Sequence, residues 1–260
     1  MKHQFSTFCV ALTCVLVLFV ACGTTPGEPA TASLRLSPSV REHTTASGWD
    51  VVLDEAVIVL GAMYIYPPPG ERMAHLGAYL GPSVAHAHGG FDPFGTVPVR
   101  LEWLGPASLD LLAGDVTTLG EMDGSVGPSM AATIAFEPLA GELAEPSGPG
   151  HGHHAWVAGT ATRTVMGETE TLEFEGGLDI GTGGTENLIE AIPSPATVGA
   201  RGVWELRVDV AGWLDQARFE RLAGDGTRVI APGTQPAIAW NLGLRDPTRF
   251  VLAYTPAAGE

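Results

Sequence analysis

The chain has 260 residues, and its only lysine is Lys2; beyond residue 21 there are 12 arginines against 29 carboxylates, a net charge of −17. So acidic a surface repels nucleic acid and has little attraction for anionic lipid. Thirty-four glycines and 20 prolines, spread between short apolar runs, argue against a fold of long helices. In chain order, Met1-Lys2-His3 is a short basic start, followed by an apolar run of 14 residues from Phe8 to Ala21. At ~1.5 Å per helical residue that run is too short for a ~30 Å hydrocarbon core. Residues 1–21 therefore read as a secretory signal peptide.

The run ends in Phe19-Val20-Ala21-Cys22, which resembles the lipobox of bacterial lipoprotein precursors. The resemblance implies cleavage before Cys22 and a diacylglycerol on its thiol. Because Gly23 rather than aspartate follows, it also implies sorting to the outer membrane. Cys9 and Cys14 lie inside the signal, so such a mature chain has no free thiol. Disulfides and thiolate metal sites are then ruled out. Residues 22–45 are rich in Thr, Pro, Ala, Gly and Ser and read as the lipidated cysteine and a flexible tether. Residues 46–260 read as a single domain.

Its first element is a long strand from Trp49 to Tyr66, with a bulge or bend expected near Asp54-Glu55 or Gly61 and a stop at Pro67-Pro68-Pro69. A short helix is expected over 70–80. Met130, Ala132, Ile134 and Phe136 share one face of a further strand. Residues 155–165 and 169–180 read as a hairpin turning at Met166-Gly167-Glu168, with Leu172, Phe174, Leu178 and Ile180 inward. Trp204 to Val210 alternates as a strand. Helices are expected at Gly212–Gly224 and over 236–244. The six tryptophans read as core or interface residues. The fold class expected is all-β, an antiparallel β-sandwich with one to three short helices.

Histidine clusters twice, in AHAHGGFD (His86, His88 and Asp92) and in HGHH (His151, His153 and His154). In an extended His-x-His both rings fall on one face. Neutral imidazole without thiolate suits zinc or copper(II), with Asp92, Glu142 or Glu145 supplying an oxygen ligand or orienting a ring. If one net crossing separates the strand ending at Tyr66 from the strand over 127–137, the two clusters exit at the same end of the domain. An additional strand between them would separate the exits. His75 reads as a surface residue. Glycine-flanked histidines are also common in solvated loops, so a connection with no native ligand is the competing reading.

No G-x-S-x-G, H-E-x-x-H, G-x-x-x-x-G-K-[ST] or helix-opening G-x-G-x-x-G occurs. The domain resembles a group of exported bacterial lipoproteins with no defined activity, through GWDVVLDEAVIVLGAMYIYP, AHAHGG, LDLLAG and DVAGWLDQARFERL. The expected function is metal capture, buffering or delivery by a lipoprotein held to the outer membrane through acyl chains on Cys22. The alternative is a structural or interaction lipoprotein that binds another envelope protein. A metal-assisted hydrolase using the histidines is the third reading.

Overall fold

The computed structural model describes residues 28–69, 99–139, 150, 152–180 and 187–258. Cys22, His86, His88, Asp92 and His151 lie outside them, as do His75, Glu142, Glu145 and the helix expected over 70–80. Twelve strands run in the order β1 (Pro29–Ser37), β2 (Glu42–Thr44), β3 (Asp50–Tyr66), β4 (Leu101–Asp110), β5 (Thr117–Ser125), β6 (Gly127–Phe136), β7 (Ala155–Val165), β8 (Glu168–Leu178), β9 (Leu188–Val198), β10 (Arg201–Val208), β11 (Arg228–Val229) and β12 (Phe250–Pro256). Among the described residues α1 (Gln235–Leu244) is the α-helix that precedes β12. The fold is all-β with few short helices. The sheet is mixed rather than purely antiparallel, because β1 pairs β10 and β11 pairs β8 in parallel.

β3 organises the sheet. Its first half pairs β7 and β2, and its second half pairs β4 and β6. It changes neighbours through two register shifts, one between Leu53 and Glu55 and one between Leu60 and Ala62. Both expected bulge sites are therefore used. At the second, Gly105 of β4 runs so close to the Leu60 and Gly61 carbonyls that a Cβ on it would lie 2.7 Å from either oxygen. From β3 the ladder continues through β4, β5, β1 and β10 to β12, while β6 and β9 branch from its other side. β12 packs beside β9, and Tyr254 Oη accepts the Gly199 N–H at 3.0 Å across that seam. The sheet thus curls round one continuous core containing Leu34, Trp103, Met122, Ile134, Trp204 and Phe250.

The tether expectation is corrected over 29–44, where β1 and β2 lie. Ala30, Ala32, Leu34 and Leu36 of β1 alternate inward and are buried. Two further expectations change. Gly212–Gly224 is not one helix but two 3-10 turns, Ala211–Leu214 and Phe219–Arg221. In β6 a register shift between Ser129 and Ala131 turns Met130 outward, 53% exposed, while Ala132, Ile134 and Phe136 stay buried. α1 is found where expected. Pro236 lies in its first turn, where its missing N–H costs nothing, and the Thr234 side chain accepts the Ala237 N–H.

Strand direction decides the histidine topology. β4 and β5 both lie between β3 and β6, so the chain crosses twice and β6 runs antiparallel to β3. Tyr66, at the end of β3, pairs with Ala131, whereas Phe136, at the end of β6, pairs with Leu60. The chain leaves the two strands in opposite directions, and the extra strand β5 removes the basis for the same-end expectation.

Candidate functional site

The described part of the second histidine cluster sits at the entrance to β7. The β7–β8 hairpin turns on two residues, Met166 and Gly167, both with positive φ (54° and 86°), the geometry that suits the twist of paired strands. Val165 consequently pairs with Glu168, and the register continues to Ala155 opposite Leu178. Just beyond that pair the His154 N–H donates to the Leu178 carbonyl, which brings the His153 and His154 side chains beside Asp179 and Ile180.

His153 and His154 use this position differently. His153 is one-third exposed, and its Nδ1 lies 2.8 Å from Asp179 Oδ1. A carboxylate can only accept, so Nδ1 carries the proton and Nε2 keeps its lone pair when the ring is neutral. The ring stacks on Trp156, with centroids 6.4 Å apart and an interplanar angle of 24°. Trp156 Nε1 in turn donates to Glu55 Oε2 at 3.0 Å. Two glycines make room for the stack. A Cβ on Gly177 would fall 2.0 Å from the His153 ring, and one on Gly150 would fall 2.8 Å from Trp156 Cβ. The motif is therefore an imidazole held by a carboxylate on one edge and an indole on one face.

His154 is buried, 3% exposed, and its Nδ1 accepts the Ile180 N–H at 3.3 Å. Burial pushes its pKa below the ordinary histidine value; the Asp179 carboxylate opposes that shift and the neighbouring His153 adds to it. Because the folded state resists the proton that the unfolded chain accepts, stability is complete above ~6.5 and falls as pH drops through that value. In metal-free buffer, His154→Asn should flatten the fall in melting temperature between pH 7.5 and 5.5, since the amide oxygen can still take the Ile180 N–H. His154→Leu should cost about 1–3 kcal/mol at pH 7.5, because it leaves that N–H buried without a partner, and the cost should shrink toward pH 5.5 as wild type alone takes up the penalty of protonating a buried imidazole. Equal pH slopes in wild type and His154→Asn would show that another group controls the transition.

A second histidine–carboxylate pair serves the fold. His43 Nε2 lies 3.0 Å from Asp215 Oδ1, and the Ala46 N–H donates to the Asp215 carbonyl, so β2 is tied to the turn after Leu214. The His43 hydrogen bond holds the Asp215 carboxyl below its ordinary pKa; burial opposes it and Gln216 assists.

Of the metal-ligand candidates, His153 and His154 are described; the His153 side chain is one-third exposed and its Nε2 is not taken by Asp179, whereas His154 is buried. Among the described residues no group of three or more His, Cys, Asp or Glu side chains forms a metal cage. The convergence expected of His86, His88, Asp92 and His151 falls on residues outside the described ones. Asp179, Trp156 and Glu55 were not anticipated as partners of His153. A signal for Asp179 was present, because counting register back from a two-residue turn at Met166-Gly167 sets it beside the histidines. Comparison with protein-family models, curated proteins and solved structures gives no match.

Proposed function

We propose that this protein is an exported lipoprotein, acylated at Cys22 and held on the outer membrane, whose β domain captures a transition-metal ion, zinc or copper(II). His153 is the primary ligand and Asp179 orients it. His151, beside it in sequence, is the first candidate for a second position; His86, His88 and Asp92 belong to the connection that leaves β3 in the opposite direction and are the weaker candidates for the rest; His154, engaged by the Ile180 N–H, supports the site from within the core. The observation that carries the metal reading is the His153–Asp179 hydrogen bond. A carboxylate on one ring nitrogen fixes the tautomer and leaves the other nitrogen's lone pair for a metal, the arrangement that metal-ligating histidines adopt. Membrane attachment rests on the signal and on Cys22.

A second reading, an envelope lipoprotein that binds another protein and no metal, is favoured by α1. Ile238 and Leu242, one turn apart, are 54% and 65% exposed, leaving an apolar strip on the helix surface.

Both parts are open to test. Cys22→Ser should abolish acyl labelling and move the protein from the membrane to the soluble fraction; undiminished retention would sink the anchor. In calorimetric titration with zinc or copper(II), the signal-less protein should bind one equivalent. Asp179→Asn should weaken that binding about 10–100-fold, the usual cost of losing an orienting carboxylate, and His153→Ala should weaken it further. Weak binding at several sites, unchanged by either substitution, would favour the protein-binding reading.

A further inference from the structure

The start of β1 fixes which end of the domain meets the membrane. Glu28 is already held in the sheet, since its carbonyl accepts the Val126 N–H at 2.8 Å. The next residues are equally tied: the Thr31 N–H donates to the Ala200 carbonyl, and Ala30 is buried. Only six residue steps separate Cys22 from Glu28. Fully extended, six steps span at most about 21 Å. An acyl chain on Cys22 therefore leaves the domain little room to turn.

Register identifies the end concerned. Ala30 pairs with Gly124, Gly124 with Leu101, and Leu101 with Ile65. On the other side of β1, Thr31 pairs with Arg201, and Gly202 pairs with Pro256. Arg100 is buried at this end, its guanidinium donating to the Val126 carbonyl and to Ser125 Oγ. At the opposite end of β1, Leu36 pairs with Thr117 and Ser37 with Arg207, which pairs with Val251. The loop through Asp115 and the turn at Asp246 flank that end. At ~3.3 Å per residue, the nine residues of β1 separate the two ends by roughly 30 Å.

We infer that the sheet end formed by Glu28, Ser125 and Arg201 faces the lipid headgroups, and that the end bearing Asp115 and Asp246 points away from the bilayer. The inference rests on acylation at Cys22, and its partner is the headgroup surface. The short connection holds this face down; charge attraction is not needed for it.

The mature chain's freedom from other thiols makes the test direct. Asp123→Cys and Asp115→Cys, both at exposed positions, each give the acylated protein one reactive thiol. The labelled full chain is reconstituted in phosphatidylcholine vesicles carrying a headgroup-attached energy-transfer acceptor. With the two ends roughly 30 Å apart, transfer from position 123 should exceed that from position 115 by about twofold or more. Inserting a 24-residue Gly/Ser spacer after Pro26 should erase the difference. Equal transfer from both positions, or stronger transfer from 115, with acylation of Cys22 verified by mass spectrometry, overturns the orientation alone. An unacylated Cys22 overturns both the orientation and the anchor on which it rests.

Discussion

Replacing Trp49 with alanine should cost about 3–5 kcal/mol, a large share of the roughly 5–15 kcal/mol that keeps a domain folded. Trp49 is fully buried at the entrance to β3 and joins three separate parts of the chain. Its backbone N–H donates to Thr45 Oγ1 at 3.0 Å. Its ring meets the edge of Phe219, 5.9 Å between centroids, and the Arg163 guanidinium lies 4.3 Å above it. Its Nε1 donates to Glu220 Oε2 at 3.0 Å. Burial alone would push the Glu220 carboxyl up, but that hydrogen bond, its own backbone N–H and the Arg163 and Arg218 cations hold it below the ordinary value. Trp49→Phe separates the contributions. It keeps most of the apolar contact and loses the indole donor, so about 1–3 kcal/mol is expected. Urea denaturation of the two variants measures both. Near-equal losses would mean that packing against Phe219 contributes little beyond the hydrogen bond.

Gly243→Ala should destabilise, although alanine in place of glycine normally improves an exposed helix by nearly 1 kcal/mol. α1 lies directly on the turn at Trp213. A Cβ on Gly243 would come within 2.3 Å of the Trp213 carbonyl oxygen and 2.6 Å of its Cα. Those are backbone atoms, so no side chain can swing aside. The helix must lift, loosening Trp240 and Leu244, both fully buried. Overpacking of this kind costs about 1–3 kcal/mol. Asn241→Ala, on the same helix but partly exposed, is the control and should be close to neutral. A melting temperature that rises in Gly243→Ala would show that the helix can shift without cost.

The elements legible in the sequence were those whose burial alternates among large side chains. Leu172, Phe174 and Leu178 against Glu173 marked β8, and Trp204, Leu206 and Val208 marked β10. β1 was hidden because two of its four inward residues are Ala30 and Ala32, which in a stretch of threonine and proline look like tether. Its partner β10 lies about 170 positions away in parallel, a pairing that leaves no local trace. Met130 was misplaced because a bulge resets the period of two, and composition does not announce a bulge. At the candidate site the histidines were conspicuous, but their separate fates were not. Whether the second of two adjacent histidines turns inward depends on strand register, and the register here was set by a turn one residue tighter than expected.

The parallel pair between β1 and β10 also constrains the order of assembly. Thr31 finds Arg201 only after nearly the whole chain is available, and β12 must then close over β10. Pairings at such separation carry a large loop-closure cost before any contact repays it. In the proposed export the first strand emerges early and waits for the tenth. If Cys22 is acylated in that interval, the waiting strand is confined to the membrane surface, where its apolar edge meets its own late-arriving partner more readily than a strand from another molecule.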